Sequence, residues 1–328
     1  ALMPVLDWLA RLPGATWQSH APAAWTAALA LVGIAWWLAP RGVPARYAAP
    51  LLALPMFALR PPAPDAGAAW ITFLDVGQGL AALVRTKDHA VLYDAGPAYG
   101  TDADAGSRVV VPFLRGEGLA RLDALVVTHD DADHSGGAVS VMRTIPVDVL
   151  WSSLAEAHPA RGLAPVRLPC RAGAEWRRDG VRFALLHPAA ASYDDPWLKS
   201  NSRSCVLRIE TRHGAVLLTG DIEERDERLL VAAGGTLAAS ALLVPHHGSG
   251  TSSSAAFLGA VRPAHAVFTV GYRNRFGHPK EAVLARYAAV GASVWRTDRD
   301  GAVTVKLAAD GTTVARHREQ RPRYWRSP

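Results

Sequence analysis

The sequence predicts an α/β protein in which two sheets pack together with helices outside, preceded by one or two transmembrane helices. Three observations lead there. Composition changes near residue 60: of 29 acidic residues in a chain of 328, only Asp7 lies before that point, where Ala, Leu, Trp and Pro dominate. From Trp70 onward, short β-rich runs alternate with Gly- and Asp-containing turns and amphipathic stretches. Finally, three clusters of His and Asp each follow directly on an apolar run, as expected when strand ends converge on one edge of a sheet.

In chain order, Leu2, Val5, Leu6, Leu9 and Leu12 fall on one side of an interfacial amphipathic helix. Ala21–Ala39 carries no charge and approaches the length that spans a hydrocarbon core, with Trp25, Trp36 and Trp37 near its ends. Tyr47–Leu59 carries Pro50 and Pro55 and would span only with help from neighbours. Arg41 and Arg46 lie between the two runs, and the positive-inside rule places them in the cytoplasm and both flanks outside. Starting without Met, the chain is expected to be cut from a longer membrane protein. The boundaries expected are 1–66 for the membrane-associated segment, 67–312 for the main domain and 313–328 for a basic tail. That tail holds Arg316, Arg318, Arg321, Arg323 and Arg326 with Tyr324 and Trp325. It suits either a nucleic-acid backbone or a solvated terminus.

Within the main domain, strands are expected near 70–76, 80–86, 90–94, 122–128, 148–152, 181–187, 203–210 and 214–219. Helices are expected near 106–118, 136–143 and 223–232. The remainder alternates strand and helix through "SALLVPHH", "SSSAAFLGAV", "HAVFTVG", "KEAVLARYAAVG", "ASVWRT" and "AVTVKLA". Cys170 and Cys205 lack metal-ligand spacing, leaving two buried thiols or one disulfide open.

The cluster "HDDADH" offers His129, Asp131, Asp133 and His134. Asp133 and His134 suit one ion, while His129 and Asp131, two apart, suit another. Asp221 of "TGD" could bridge the two, and His246 or His247 of "PHHGS" adds an imidazole. Such a set holds two divalent ions with positions left for water and substrate. Its oxygen content favours Mn²⁺ or another oxygen-tolerant ion beside Zn²⁺. A helix-capping turn would explain one Asp, but not three matching clusters.

The ordered set "DVGQG", "DAG", "THDDADHSGG", "NSRSCVLRI", "LLTGDIE", "VPHHGSGTSSS" and "VGYRNRFGHP" resembles the metallo-β-lactamase-like domain of ComEC, the membrane channel of bacterial DNA uptake, over about residues 70–308. The resemblance implies a metallo-β-lactamase-like αββα four-layer sandwich and a two-metal site. It also implies nuclease attack on the DNA strand that is not imported. The general HxHxDH motif appears here as HxDxDH, with Asp131 in place of the second histidine. "NSRS" stands where a later histidine would be, offering Asn201, Ser202 and Ser204. His278 and Lys280 are candidates to contact the scissile phosphate or protonate the leaving oxygen, and Asp133 is the ligand whose loss should abolish turnover. Asp75, Gln78 and Asp94 are expected to orient ligands, and Ser249 to help receive a phosphate. The implied partners are DNA, the membrane and other components of the uptake machinery. The implied location is the inner membrane, with the hydrolase domain facing the periplasm. A hydrolase of another ester, or a DNA-guiding domain without turnover, are the alternatives.

Overall fold

The computed structural model describes residues 2–12, 15 and 17–322, so Arg323, Tyr324, Trp325 and Arg326 lie outside the described residues. Two compact units are present, one within Ala1–Pro62 together with Pro112–Ala120, the other within Ala63–Val111 and Arg121–Pro328.

The first unit contains helices Leu2–Ala10 and Ala24–Trp37, then a 3₁₀ segment Arg46–Ala53 running into helix Leu54–Ala58. Gly33 lets the second helix approach the 3₁₀ backbone, since a Cβ there would lie 2.7 Å from Ala49 O. The expectation of transmembrane helices is corrected here. Ala24–Trp37 has 14 residues, about 21 Å at 1.5 Å per residue, short of the roughly 30 Å of a hydrocarbon core. Among the described residues, no helix is long and apolar enough to cross a membrane. Proline is the local reason: helix Ala24–Trp37 ends ahead of Pro40, Pro50 sits inside the 3₁₀ segment, and Pro55 opens a five-residue helix. Leu31, Val32, Ile34 and Trp37 remain exposed.

The second unit is a sandwich of two sheets. Its strands are β1 (Ala69–Phe73), β2 (Ala82–Arg85), β3 (Ala90–Tyr93), β4 (Leu122–Val127), β5 (Val147–Ser152), β6 (Val166–Pro169), β7 (Glu175–Arg178), β8 (Val181–His187), β9 (Val206–Thr211), β10 (Gly214–Leu218), β11 (Ala241–Leu243), β12 (His265–Phe268), β13 (Ser293–Arg296), β14 (Val303–Ala308) and β15 (Gly311–Arg316). One sheet is ordered β15-β14-β1-β2-β3-β4-β5-β6, the other β13-β12-β11-β10-β9-β8-β7. From β3 to β6 and from β10 to β13 the pairings are parallel; elsewhere they are antiparallel.

Period-2 alternation fills both faces of the second sheet. Leu207, Ile209, Val216, Leu218, Leu243 and Val267 meet Ile71, Phe73, Val84, Val91 and Val126 between the sheets. Leu217, Leu242, Ala266 and Phe268 point the other way, against Leu230, Phe257, Val261 and Tyr287 of the outer helices Glu224–Ala232, Ala255–Val261 and Glu281–Ala289. Each such buried large side chain contributes roughly 1.5–3 kcal/mol. A disulfide joins Cys170, after β6, to Cys205, before β9, and so ties the two sheets covalently. Closing its 35-residue separation contributes about 3–4 kcal/mol on the chain-entropy account.

Three strands exceed the expectation from sequence. β6 and β7 are four-residue edge strands, the first too short to show an alternation and ending in Pro169, the second dominated by Glu175, Arg177 and Arg178. β15 pairs with β14 from Gly311 to Arg316, so residues 313–316 belong to the sheet and not to a tail. The "NSR" stretch forms a 3₁₀ turn, and β9 starts after it at Val206.

The β7–β8 turn is Asp179–Gly180, both at positive φ, as a two-residue hairpin requires. The Asp179 carboxylate accepts hydrogen bonds from Thr86 Oγ1 at 2.7 Å, Asp88 N at 2.8 Å and His89 Nδ1 at 3.0 Å, joining this hairpin to that of β2–β3. Burial works against the charge, but these donors hold its pKa at about 2. A depressed folded-state pKa stabilises the fold above the ordinary carboxylate range, and that stability is lost as pH falls toward 2. Asp179→Asn is expected to lower unfolding free energy by about 1–2 kcal/mol at pH 7. In urea denaturation its difference from wild type should close between pH 4 and 2.5; an unchanged gap would show that the charge is not the cause.

Candidate metal centre

The polar clusters meet at the carboxyl ends of β3, β4, β10 and β11, where the parallel halves of the two sheets share an edge. Open α/β sheets place ligands at such edges. Asp94 follows β3 with φ 56° and has no exposed surface. Its Oδ1 accepts from Thr128 N at 2.7 Å, and its Oδ2 from Thr128 Oγ1 and His134 Nδ1, each at 2.8 Å. The Thr128 hydroxyl thus has its hydrogen committed, and its oxygen receives His129 Nδ1–H at 2.8 Å. His247 Nδ1 donates to the Thr269 carbonyl at 2.7 Å. All three imidazoles are therefore held at Nδ1, which fixes the tautomer that leaves Nε2 free as a ligand atom.

Those Nε2 atoms converge. His134 Nε2 lies 3.2 Å from His247 Nε2, 3.1 Å from Asp221 Oδ1 and 3.9 Å from Asp133 Oδ2. His247 Nε2 lies 3.3 Å from Asp133 Oδ2 and 3.6 Å from Asp221 Oδ2. Asp133, His134, Asp221 and His247 each offer a donor atom within 4.8 Å of all the others. His129 Nε2 is buried and makes no hydrogen bond; Asp131 Oδ2 is 3.5 Å away. His246 Nε2 stands 3.7 Å from Asp221 Oδ2, with its Nδ1 facing Glu223 and Thr251.

The electrostatics call for a cation. Burial disfavours charge on His134 and Asp221, yet Asp221 and Asp94 raise His134 well above the usual histidine range, and His134 and His247 hold Asp221 well below the carboxylate range. Burial also opposes charge on Asp133, which His247 and His134 keep at about 2. Positive charge among these carboxylates is strongly favoured, and a divalent ion on the same nitrogens and oxygens would supply it. The donor set, the oriented tautomers and the orphaned His129 Nε2 all fit such an ion.

Other predicted residues are placed as follows. Ser204, fully buried, accepts from Asp221 N at 3.0 Å and lies 3.4 Å from His129 Nδ1. Asn201 gives its carbonyl to Ser204 N. Ser249 Oγ meets Thr251 Oγ1 at 3.1 Å on the His246 side. Asp75 does not touch the cluster's ligands through its hydrogen bonds: it accepts from Arg318 Nη2 at 3.0 Å and Gly77 N. Gln78 Oε1 accepts from Gly271 N. In this motif the backbone reaches the site instead. Gly79 has φ 142° and a Cβ there would sit 2.4 Å from Asp133 O, the carbonyl that accepts from Leu80 N. His278 has its ring 6.0 Å from that of His246; burial, with His247, His246 and Lys280 nearby, brings its pKa down to about 4, so it is neutral near pH 7. Lys280 Nζ donates to Phe276 O. Sequence reasoning missed Thr128, Thr269, Glu223 and Asn274. Thr128 adjoins His129, and Glu223 and Asn274 lie within "LLTGDIE" and "VGYRNRFGHP"; Thr269 carried no such signal.

A layered αββα sandwich with a His/Asp cluster at the joint edge of its sheets defines a class of metal-dependent hydrolase fold, and the chain belongs to the metallo-beta-lactamase superfamily, whose pattern matches residues 74–271. Among curated relatives, it is 37% identical over 283 residues to "Competence protein ComA" of Neisseria gonorrhoeae, covering 86% of this chain and 38% of that one. It is 32% identical over 245 residues to "Recombination protein 2" of Haemophilus influenzae, covering 75% and 30%. "ComE operon protein 3" of Bacillus subtilis is 31% identical over 254 residues, covering 71% and 32%. The chain thus spans 30–38% of the length of these relatives. A variant of the CmlA β-hydroxylase of Streptomyces venezuelae shares the fold at TM-score 0.51 and 15% identity, covering 93% of this chain and 62% of that one.

Because Asp94 fixes both Thr128 and His134, Asp94→Asn should weaken divalent-metal binding about 10–100-fold. Competition against a chromophoric chelator would measure it, with circular dichroism confirming the fold. An unchanged affinity would remove Asp94 from the site's support.

Proposed function

We propose that this chain is the metal-dependent phosphodiesterase domain of a DNA-uptake channel, a nuclease that hydrolyses the strand not imported. The cluster of Asp133, His134, Asp221 and His247, with three imidazoles preset through Nδ1, is the observation that carries this reading. The names of the relatives, competence and recombination proteins, support DNA as the substrate.

Asp133, His134, Asp221 and His247 would hold one ion, and His129 and Asp131, with Asp221 shared, a second. The carboxylate share suits Mn²⁺ or Zn²⁺. When bound, such ions lower the pKa of water and offset charge on phosphate oxygens. The chain's own residues then do the positioning. Asp94 and the Thr269 carbonyl keep the imidazoles in register, and Ser204 holds the Asp221 backbone. His278, neutral near pH 7, offers a contact to phosphate in preference to an imidazolium proton. Ser249 and Thr251 present hydroxyls beside His246.

Incubating the full chain with single-stranded DNA and Mn²⁺ or Zn²⁺ should give cleavage that EDTA abolishes. Asp133→Ala and Asp221→Ala should each reduce it at least 10³-fold, the scale of losing a group essential to transition-state stabilisation. Intact DNA with a metal-loaded protein, or full activity in either variant, overturns the reading. DNA held without turnover would instead favour a DNA-guiding domain, a reading kept in view by the sparse donor set beside His129.

The location proposed is the outer face of the cytoplasmic membrane. A buried disulfide supports an oxidising compartment, and the exposed Leu31, Val32, Ile34 and Trp37 support apposition to lipid or membrane-embedded protein. Thiol labelling of spheroplasts should find Cys170 and Cys205 protected until reductant is added; free thiols at both positions would count against export.

A further inference from the structure

The segment between β12 and helix Glu281–Ala289 carries the run "GYRNRFGHPK", which alternates ring and cation and contains no acid. Tyr272 is 72% exposed and Phe276 47%. The Arg273 guanidinium lies 5.1 Å over the Tyr272 ring, and that of Arg275 lies 4.9 Å over Phe276. Two large rings displayed to solvent, each already paired with a cation, are poor hydrophobic cover but good stacking surfaces.

The loop is held in shape. Asn274 Nδ2 donates to Gly271 O and His278 O, while its Oδ1 accepts from His278 N. Gln78 accepts from Gly271 N, and Lys280 Nζ closes onto Phe276 O. It also leads to the cluster: the Phe276 ring stacks on His278 at 5.8 Å and 26°, and the His278 ring sits 6.0 Å from His246. A chain of rings thus runs from solvent to the side of Asp221 occupied by His246.

We infer that Tyr272 and Phe276, backed by Arg273 and Arg275, form a stacking platform that grips the unpaired bases of a single DNA strand and delivers its backbone to the metal centre. This rests on the phosphodiesterase reading for the delivery step, though not for binding. Single strands offer base faces to aromatic side chains and phosphates to arginines; a duplex hides its base faces in its own stack. The platform therefore selects single-stranded or frayed DNA over intact duplex.

The test uses the full chain freed of metal with EDTA, so that no cleavage occurs, and fluorescence anisotropy with labelled oligothymidylate and a labelled duplex of equal length. The single strand should bind more tightly than the duplex. Tyr272→Ala and Phe276→Ala should each weaken single-strand binding about tenfold with duplex binding little changed, while Tyr272→Phe and Phe276→Tyr restore it. Replacing Arg273 and Arg275 with Gln should weaken both and flatten the salt dependence. Equal affinity for the two forms, or unchanged binding by the two alanine variants, overturns the platform. If binding follows this pattern while metal-loaded protein leaves DNA intact, the platform stands and the hydrolytic reading falls.

Discussion

A carboxylate with no access to solvent organises the edge of this sandwich. Asp94 is placed there by a backbone in the left-handed region that an Asp tolerates better than most side chains. Its charge is met by three donors, one backbone amide, one hydroxyl and one imidazole. Because a buried unpaired charge is so costly, each donor is obliged to keep its place. The Thr128 hydroxyl, committed to Asp94, can only accept from His129, and His134 can only present its other nitrogen outward. One buried charge therefore dictates the orientation of both imidazoles of the segment that follows β4.

The sheets supply the rest by topology. Each contributes a parallel half, and the parallel halves bring β3, β4, β10 and β11 to a common end. Apolar side chains between the layers set the distance across which Asp221 and His247 face Asp133 and His134. His246 and His247, both at positive φ, turn the chain tightly enough for consecutive imidazoles to approach the same Asp221 oxygen. Strain of that kind needs a rigid surround, and the packing of Gly248 against Phe268 and Pro279 provides one.

Much of this was legible in the sequence, for a physical reason. Carboxylates and imidazoles packed into six residues after an apolar strand are too costly without a cation, so "HDDADH" declares itself without neighbours. The buried strands were equally plain, because Val, Leu and Ile in short runs have no other stable use. What stayed hidden depends on distant partners or on backbone. Asp75 looked like a support for the ligands, but its partner Arg318 lies 243 residues away, and the motif's contribution runs through Gly79 and a carbonyl. Thr269 acts through its main chain, which no side-chain pattern encodes. Edge strand β7 carries charges that discourage further pairing, and β6 is four residues closed by a proline, so neither looks like a strand in the sequence. The apolar runs near the start overstated their own length, because hydropathy counts residues while proline decides where a helix ends.

The cross-link between Cys170 and Cys205 has a mechanical consequence. It fastens the two layers at the same end as the ligands, with Cys205 directly following Ser204 and its sulfur within 3.5 Å of the Thr128 carbonyl. Parting of the layers is thereby restrained at this end and left freer at the opposite one. The jaws of the site are in effect riveted, so the spacing that packing sets between its two halves is also held covalently.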